Sequence, residues 1–567
     1  MFDTVKRHGG LGHKLLKAWR LYRQSGVRGV YHRIRALLGI PTAPVPRTYV
    51  EWVRQYDSWP PHRLAALQTK LGNMPVQPRF LVCIPGGNGA LRRNTIESLK
   101  KQPYTDWILQ EGAKPSDADW VLVLYPGTLL APHALISLVI ELQRDPEAHL
   151  LYGDEDFLGP DGERYSPDFK PDWNPFLFYS TAWLSSVYAV RRQYWAGQAA
   201  NGTPELTFLR TLLGVLERVD GNRIRHVARV LAHRPGAERD SERCSAPPPT
   251  DEAAALLQAH LMHKGVAATV SVEAAGYRLQ YALPEPAPMA SIIIPTRNGV
   301  ALMRQCVESI FAHTEYPAYE IIVVDNGSDD EHALAYFAQL AEQCKIRLLR
   351  DDSPFNYSAL NNMAVAHAQG DVIVLLNNDI EVIGADWLRE MVSIAMQPEV
   401  GAVGARLLYP DDTVQHAGII LGIQGVAGHG HKHLKRTEYG YQHRAALAQN
   451  LSAVTAACLA VRKSVWQEVG GLNEPDLKVA FNDVDFCIRL LQAGYRNVWT
   501  PYAELYHHES ASRGTEDNPE KRARFAHEVR YMQKCWANEL MDDKAYNPAL
   551  TLEHEDFSLA WPPRYTS

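Results

Sequence analysis

Twice along its length the chain runs through a short apolar segment that stops at a proline. The first is Phe80-Leu81-Val82-Cys83-Ile84-Pro85 and the second is Ala290-Ser291-Ile292-Ile293-Ile294-Pro295. An apolar run of this length without alternation predicts a strand covered on both faces, in a mostly parallel sheet with helices on each side. The residues after each proline repeat one alternation of helix and strand. The first set predicts a helix at 91–101, a strand at 120–124, a helix at 132–143 and a strand at 150–156. The second predicts helices at 301–313, 333–343 and 359–369, between strands at 320–325, 346–349 and 372–376. The expected fold class is α/β, with two Rossmann-like domains built on one architecture used twice.

The length of 567 residues allows two or three domains. Turn-rich and proline-rich stretches set the expected borders at 1–48, 76–240, 241–288, 289–515 and 516–567, the fourth piece carrying the chemistry and the last a helical tail. The third piece contains a helix at 251–264 and the stiff linker Pro284-Glu285-Pro286-Ala287-Pro288. Seven dispersed cysteines with no CxxC pair predict a reducing compartment. No apolar run is long enough to span a bilayer and no secretory signal opens the chain, so the expected location is the cytoplasm.

A net charge of −6 conceals a basic arm. Residues 4–50 hold no Asp or Glu but include Lys6, Arg7, Lys14, Lys17, Arg20, Arg23, Arg28, Arg33 and Arg35 among leucines and aromatics. Two readings stand level. Either this amphipathic segment lies on the anionic inner face of the plasma membrane, or it packs on the next domain with solvated cations. Nucleic acid is not an expected partner, because nothing else in the chain is basic or shaped for bases.

Ligands of such sheets sit at the carboxyl ends of the strands. In the second half those ends read Pro295-Thr296-Arg297-Asn298-Gly299, Asp325-Asn326-Gly327-Ser328 and Asn377-Asn378-Asp379. One such end is turn chemistry. Three on successive strands of one sheet describe a polar site. Asp379 is the carboxylate suited to a hard cation such as Mg²⁺ or Mn²⁺. Asp483, in Phe481-Asn482-Asp483-Val484-Asp485, is either a helix cap or a general base. Of His507 and His508, either can complete a metal site. His429-Gly430-His431-Lys432-His433 has its histidines on alternate residues of a Gly-rich stretch, which fits a mobile loop rather than zinc.

Together these residues resemble the family 2 glycosyltransferases of GT-A fold. The match is carried by Ser291 to Asn298, Val323 to Ser328, Asn361-Asn362, Gly370-Asp371, Leu375 to Asp379 and Asn482 to Asp485. Phe355-Asn356-Tyr357-Ser358, Gln415-His416-Ala417-Gly418 and the run from His507 to Gly514 resemble the tandem rhamnosyltransferase-like proteins of bacterial O-antigen and capsule assembly. The resemblance implies an inverting transfer from a nucleotide-diphosphate sugar to a glycan or lipid-linked acceptor. It implies nucleotide-sugar contacts from Pro295, Thr296, Arg297, Asn298, Asp325, Asn362, Asn377 and Asn378. Asp379 with His507 or His508 is implied to hold the metal, and Asp483 to act as base. Rhamnose is the implied sugar.

The first half resembles the same fold with its site lost. Its metal position reads Tyr125-Pro126-Gly127-Thr128, without a carboxylate, and Gly202-Thr203-Pro204-Glu205 stands near the place of the late acidic pair. Asp154-Glu155-Asp156 is read as a strand end, of use to sugar hydroxyls or to none. Two rivals remain at this level: a non-catalytic glycan-binding scaffold, and a sugar-nucleotide pyrophosphorylase, for which the loop after Pro295 is too poor in glycine.

Overall fold

The computed structural model describes residues 47–565 apart from 73, 76, 87–88, 111–116, 196, 198–201, 237–242 and 509–518. The basic arm and the end of the run from His507 to Gly514 therefore lie outside the described residues. Two sheets dominate. The first contains β1 (Phe80–Cys83), β2 (Trp107–Leu109), β3 (Trp120–Leu124), β4 (Leu129–Leu130), β5 (Leu150–Leu158), β6 (Arg164–Asp168), β7 (Val187–Arg191) and β8 (Ile224–Pro235). A helix, Asp251–His263, and a ribbon of β9 (Ala268–Val272) with β10 (Tyr277–Tyr281) lead to the second. That sheet begins with β11 (Ala290–Thr296), β12 (Tyr319–Asp325), β13 (Arg347–Arg350), β14 (Val372–Leu376) and β15 (Ile380–Val382). It continues through β16 (Val400–Leu408) and β17 (Val414–His416). A side hairpin of β18 (Ile419–Leu421) and β19 (Ala427–His429) precedes β20 (Gln449–Leu451), β21 (Cys458–Arg462) and β22 (Arg496–His507).

The two sheets repeat one topology. The first runs β2-β1-β3-β7-β5-β8-β4 with β6 on β5. The second runs β12-β11-β14-β21-β16-β22-β15 with β17 on β16, and adds β13 outside β12 and β20 on β22. Each step also has the same sense. β1 and β11 are parallel to both neighbours, β7 and β21 are antiparallel to both, β5/β8 and β16/β22 are parallel, and β4 and β15 close the edge antiparallel. Along each path all but two strands point one way. β1, β3, β11 and β14 are buried along their whole length, as unalternated apolar strands require.

Several expected elements differ. The strand at 150–156 continues to Leu158, so Asp154-Glu155-Asp156 lies inside β5 and not at its end. The helical tail is one helix, Pro519–Cys535, succeeded by an irregular segment that crosses back to the first domain. His431 of the histidine-rich stretch is buried and stacked on Phe557 at 4.2 Å, part of a built hairpin region rather than a free loop.

The three acids of β5 are wholly buried and fully engaged. Asp154 accepts from the Lys170 amide at 2.8 Å and the Asn547 side chain at 3.0 Å, and meets His226 Nε2 at 2.8 Å. Asp156 meets the Tyr49 hydroxyl at 2.7 Å, His233 Nδ1 at 2.6 Å and the Arg164 guanidinium at 2.5 Å. Glu155 accepts from Trp183 Nε1 and the Ser186 amide. Partners thus arrive from the helix Tyr49–Tyr56, from the domain itself and from the C-terminal segment. The Trp52 indole bonds to the Ala560 carbonyl at 3.0 Å and completes that seam.

This buried cluster should govern stability in two measurable ways. Asp156→Ala leaves His233 without its carboxylate and Arg164 with Asp57 alone, and should lower stability by up to about 3–5 kcal/mol in urea titration. A loss below about 1 kcal/mol would mean the cluster does not clamp these segments. The second effect concerns pH. Burial lowers the His226 pKa, but the Asp154 and Asp172 carboxylates outweigh it and lift the value to about 9. Protonated His226 is therefore favoured in the fold relative to an unfolded value of about 6.5. Its contribution is complete below about pH 6.5 and lost as pH rises through about 9, on the order of 3 kcal/mol. The urea midpoint of the native chain should fall across that window, and His226→Gln should flatten the slope.

Candidate active site

The site forms where the strands of the second sheet end. Thr296, the last residue of β11, sits opposite Asp325, the last of β12. Asn298 adopts φ 54° and binds the two loops together. Its amide donates to Ser328 Oγ at 2.8 Å, and its side-chain oxygen accepts from the Asp329 and Asp330 amides at 3.0 and 3.1 Å. Asp325 is buried, accepting from the Ser328 amide at 3.0 Å and from Arg350 Nη1 at 2.6 Å. Arg350 comes from β13 and belongs to no motif that would mark it in the sequence. Pro295 lies within β11 and is wholly buried along with it, while Arg297 is exposed and 3.9 Å from Asp329.

β14 delivers the next group. The Asn378 side chain donates to Thr296 Oγ1 at 3.0 Å, tying this strand end to that of β11. Asn377 donates its amide to the Ala457 carbonyl at 3.0 Å. Asp379 then meets β22: Ile380 pairs with His507, and the His508 amide donates to the Asp379 carbonyl at 2.9 Å. His507 Nε2 lies 3.2 Å from Asp379 Oδ1 and 3.5 Å from Asn377 Nδ2. Both Asp379 Oδ1 and His507 Nδ1 are buried without a hydrogen-bond partner among the described residues. A carboxylate oxygen and an imidazole nitrogen converging out of hydrogen-bond geometry fit a divalent cation as two of its ligands. No cluster of three protein ligands exists among the described residues, so waters and a diphosphate would have to supply the rest.

Two expected assignments are corrected. His508 does not share the Asp379 site: residues alternate in side along a strand, and its Nε2 goes to Glu381 at 2.9 Å and to Gln305 at 3.2 Å. Asn362 does not face a ligand. It clamps the 472–474 segment, accepting from the Leu472 amide at 2.9 Å and donating to Leu472 O and Glu474 Oε1 at 2.9 and 2.7 Å.

Asp483 is the second residue of the helix Asn482–Gln492, so it is not the cap. That position belongs to Phe481, which has no side-chain capping bond. The Asp483 carboxylate accepts from the Val484 amide at 2.9 Å and, across the fold, from the Ala456 amide at 3.0 Å. The Ala456 carbonyl accepts from the Tyr357 hydroxyl at 3.1 Å. Asp483 is thereby fixed one peptide away from Asn377. Asp485 is structural, bonded to Arg489 and the Trp536 indole, each at 2.9 Å. His416 also lies here, wholly buried, with Nδ1 2.8 Å from His429 Nδ1. Burial first, then the neighbouring imidazoles of His429 and His507, holds its pKa well below the usual value.

Shared topology locates the corresponding place in the first domain. The Tyr125 amide donates to the Ser186 carbonyl as Asn377 does to Ala457, and Leu129 pairs with His233 as Ile380 does with His507. Tyr125 thus stands where Asn377 stands, Thr128 precedes β4 as Asp379 precedes β15, and His233 stands for His507. The acid expected to be missing has a counterpart after all: Glu205 is the second residue of the helix Pro204–Leu216, as Asp483 is of its own. Its surroundings differ, however. The Tyr125 hydroxyl bonds to Glu205, its ring packs at 5.6 and 5.5 Å from Trp183 and Phe208, and the Arg234 guanidinium lies 4.9 Å over Trp183. His233 is turned to Asp156.

Residues 291–470 match the family described as glycosyl transferase family 2. Over 453 residues, 78% of its length, the chain is 45% identical to half of an uncharacterized protein y4gI of Sinorhizobium fredii. Over 93% of its length it is 32% identical to 44% of the O-antigen biosynthesis protein RfbC of Myxococcus xanthus. The O-antigen chain rhamnosyltransferase RfbN of Salmonella typhimurium matches 38% of the chain at 27% identity, over 65% of its own length. The chain spans about half the length of the first two of these relatives. The family match covers the strand ends that hold Thr296, Asp325, Asn378 and Asp379, so residues 291–470 form a family 2 glycosyltransferase domain.

Proposed function

We propose that the second domain transfers a sugar, with inversion, from a nucleotide-diphosphate sugar to a glycan or lipid-linked saccharide acceptor in bacterial surface polysaccharide synthesis. One observation carries the reading: Asp379 Oδ1 is buried without a hydrogen-bond partner among the described residues, 3.2 Å from His507 Nε2, on the strand end whose Asn377 lies one peptide from the Asp483 carboxylate. Asp379 and His507 would hold a divalent cation, which would supply charge compensation for a departing diphosphate. The chain's own residues do the rest. Arg350 and Ser328 orient Asp325 toward the base end of the donor. Asn378 and Thr296 fix the spacing between the nucleotide loops and the metal position. Asp483, held by two amides, accepts the proton of the acceptor hydroxyl on the face opposite the leaving group. Bond breaking passes through an oxocarbenium-like state, and attack from that opposite face inverts the anomeric centre. The relatives named for O-antigen synthesis and rhamnosyl transfer support testing deoxythymidine-diphosphate rhamnose first.

The first test is nucleoside diphosphate release from five donors, with water as acceptor: deoxythymidine-diphosphate rhamnose, UDP-glucose, UDP-galactose, UDP-N-acetylglucosamine and GDP-mannose. One donor should be hydrolysed in Mn²⁺ or Mg²⁺, lose activity in EDTA and regain it on adding metal. Full activity in EDTA would rule out the metal role, and silence across the panel would favour the scaffold reading.

Variants divide the roles. Asp379→Asn and His507→Ala should each lower turnover by at least about 10²-fold, whereas His508→Ala should lower it by less than about 10-fold. Asp483→Asn should cut turnover by about 10²-fold or more while donor binding survives. In the first domain Tyr125→Phe with Glu205→Gln is the fair counterpart, because Asp154 and Asp156 are structural. It should leave turnover within about twofold. A second transfer activity that disappears in this variant would make the chain bifunctional.

A further inference from the structure

The helix Pro519–Cys535 lies beyond the residues that match the family, and its inner face is aimed at one short segment. Phe525, Glu528 and Met532, with Trp536 one residue past its end, recur at intervals of three and four, one side of a helix. Phe525 stacks against Phe481 with centroids 5.6 Å apart. Glu528, wholly buried, accepts from the Val479 amide at 2.9 Å. His527 lies 3.6 Å from Asp476, and the Trp536 indole donates to Asp485 at 2.9 Å. All four contacts fall on residues 476–485, the stretch that turns into the Asp483 helix.

That stretch needs holding. Phe481 is left-handed at φ 60°, a conformation that a bulky residue adopts only where its surroundings impose it. Asn482 bonds back to the Val479 carbonyl at 3.0 Å, so the Val479 peptide is gripped from both sides. A buried carboxylate carries a large desolvation penalty, and here one is directed at a loop amide immediately before the strained turn.

We propose that Glu528 is a positioning residue, and that the helix Pro519–Cys535 straps the left-handed turn at Phe481 so that Asp483 stays bonded to Ala456 at the mouth of the site. The proposal rests on Asp483 being the base, and the experiment separates the two ideas. Full-length wild type, Glu528→Ala, Glu528→Gln, Phe525→Ala, Asp483→Asn and Glu528→Ala/Asp483→Asn are compared in two ways. The first is hydrogen exchange of peptides covering 476–488. The second is nucleoside diphosphate release, as kcat and KM, from the fastest donor of the five with Mn²⁺. Glu528→Ala should speed exchange across 476–488 by at least about 10-fold and leave peptides over β11 unchanged. It should lower kcat by about 10-fold with KM within twofold. Glu528→Gln, whose amide oxygen still accepts from Val479, should recover most of both. In the Asp483→Asn background Glu528→Ala should lower kcat no further. Phe525 is 41% exposed, so Phe525→Ala costs little of the core and should shift exchange and kcat the same way by about 3-fold. Unchanged exchange in Glu528→Ala and Phe525→Ala, or a kcat loss that persists in full beside Asp483→Asn, overturns the strap. Normal turnover in Asp483→Asn refutes the base instead, and exchange then decides the strap alone. Silence across the five donors leaves exchange as the deciding measurement in the same way.

Discussion

The site depends on one strand pairing. β15 is only three residues long, yet its antiparallel register against β22 sets Ile380 beside His507 and so brings Asp379 to the imidazole. Nothing local could do this, because the two partners lie on opposite sides of the whole second half of the domain in sequence. β22 itself is held by its parallel pairing with β16, which is held by β21, which lies against β14. The strand that ends in Asn377-Asn378-Asp379 is thus tied to His507 by two routes, directly through β15 and around the sheet through β21 and β16. A closed loop of pairings fixes both groups more firmly than either strand end could alone.

The same closure exists in the first domain, and there it serves a different end. Leu129 pairs with His233, but Thr128 offers no carboxylate, and the imidazole turns inward to Asp156. Tyr125 stands at the position of Asn377, with its hydroxyl on Glu205 and Arg234 over Trp183. One topology therefore holds a polar site with an unpaired carboxylate oxygen in one copy and a tyrosine packed among aromatics in the other. The difference lies in side chains at matched positions, not in the course of the backbone.

Legibility in the sequence divides along the same line. Strand ends are local, so Thr296, Asp325, Asn378 and Asp379 are recognisable from the residues around them. Their partners are not. Arg350 reaches Asp325 from a neighbouring strand, and Ala456 reaches Asp483 from before β21. Asn362 carries the right motif but the wrong role, because an asparagine side chain clamps a loop as readily as it binds a ligand. Asp154 and Asp156 look like a strand end because three consecutive acids seldom run through a buried strand. They do so here because Tyr49, Arg164, His226, His233 and Asn547 neutralise them from four other segments, and no window around β5 contains that information. Glu205 is hidden for a simpler reason: it stands alone where the motif has an acidic pair.

The first domain is nonetheless bound into the second. Asn174 bonds to the Asn450 backbone at both its oxygen and its amide, at 2.8 Å each, and β20, where Asn450 sits, pairs with β22. Tyr441 bonds to the Phe169 amide and the Pro167 carbonyl, and Arg444 to the Phe169 carbonyl. The C-terminal segment runs from Trp536, which holds Asp485, through Asp543, which accepts from the Leu421 amide, to Asn547 on Asp154. It therefore connects the helix of Asp483 to the buried acids of β5 in a single passage. The first domain can be kept for this reason alone: its acid cluster anchors the segment that begins at the strap over Phe481. The acid cluster of the first domain and the Asp483 helix of the second are then parts of one mechanical arrangement.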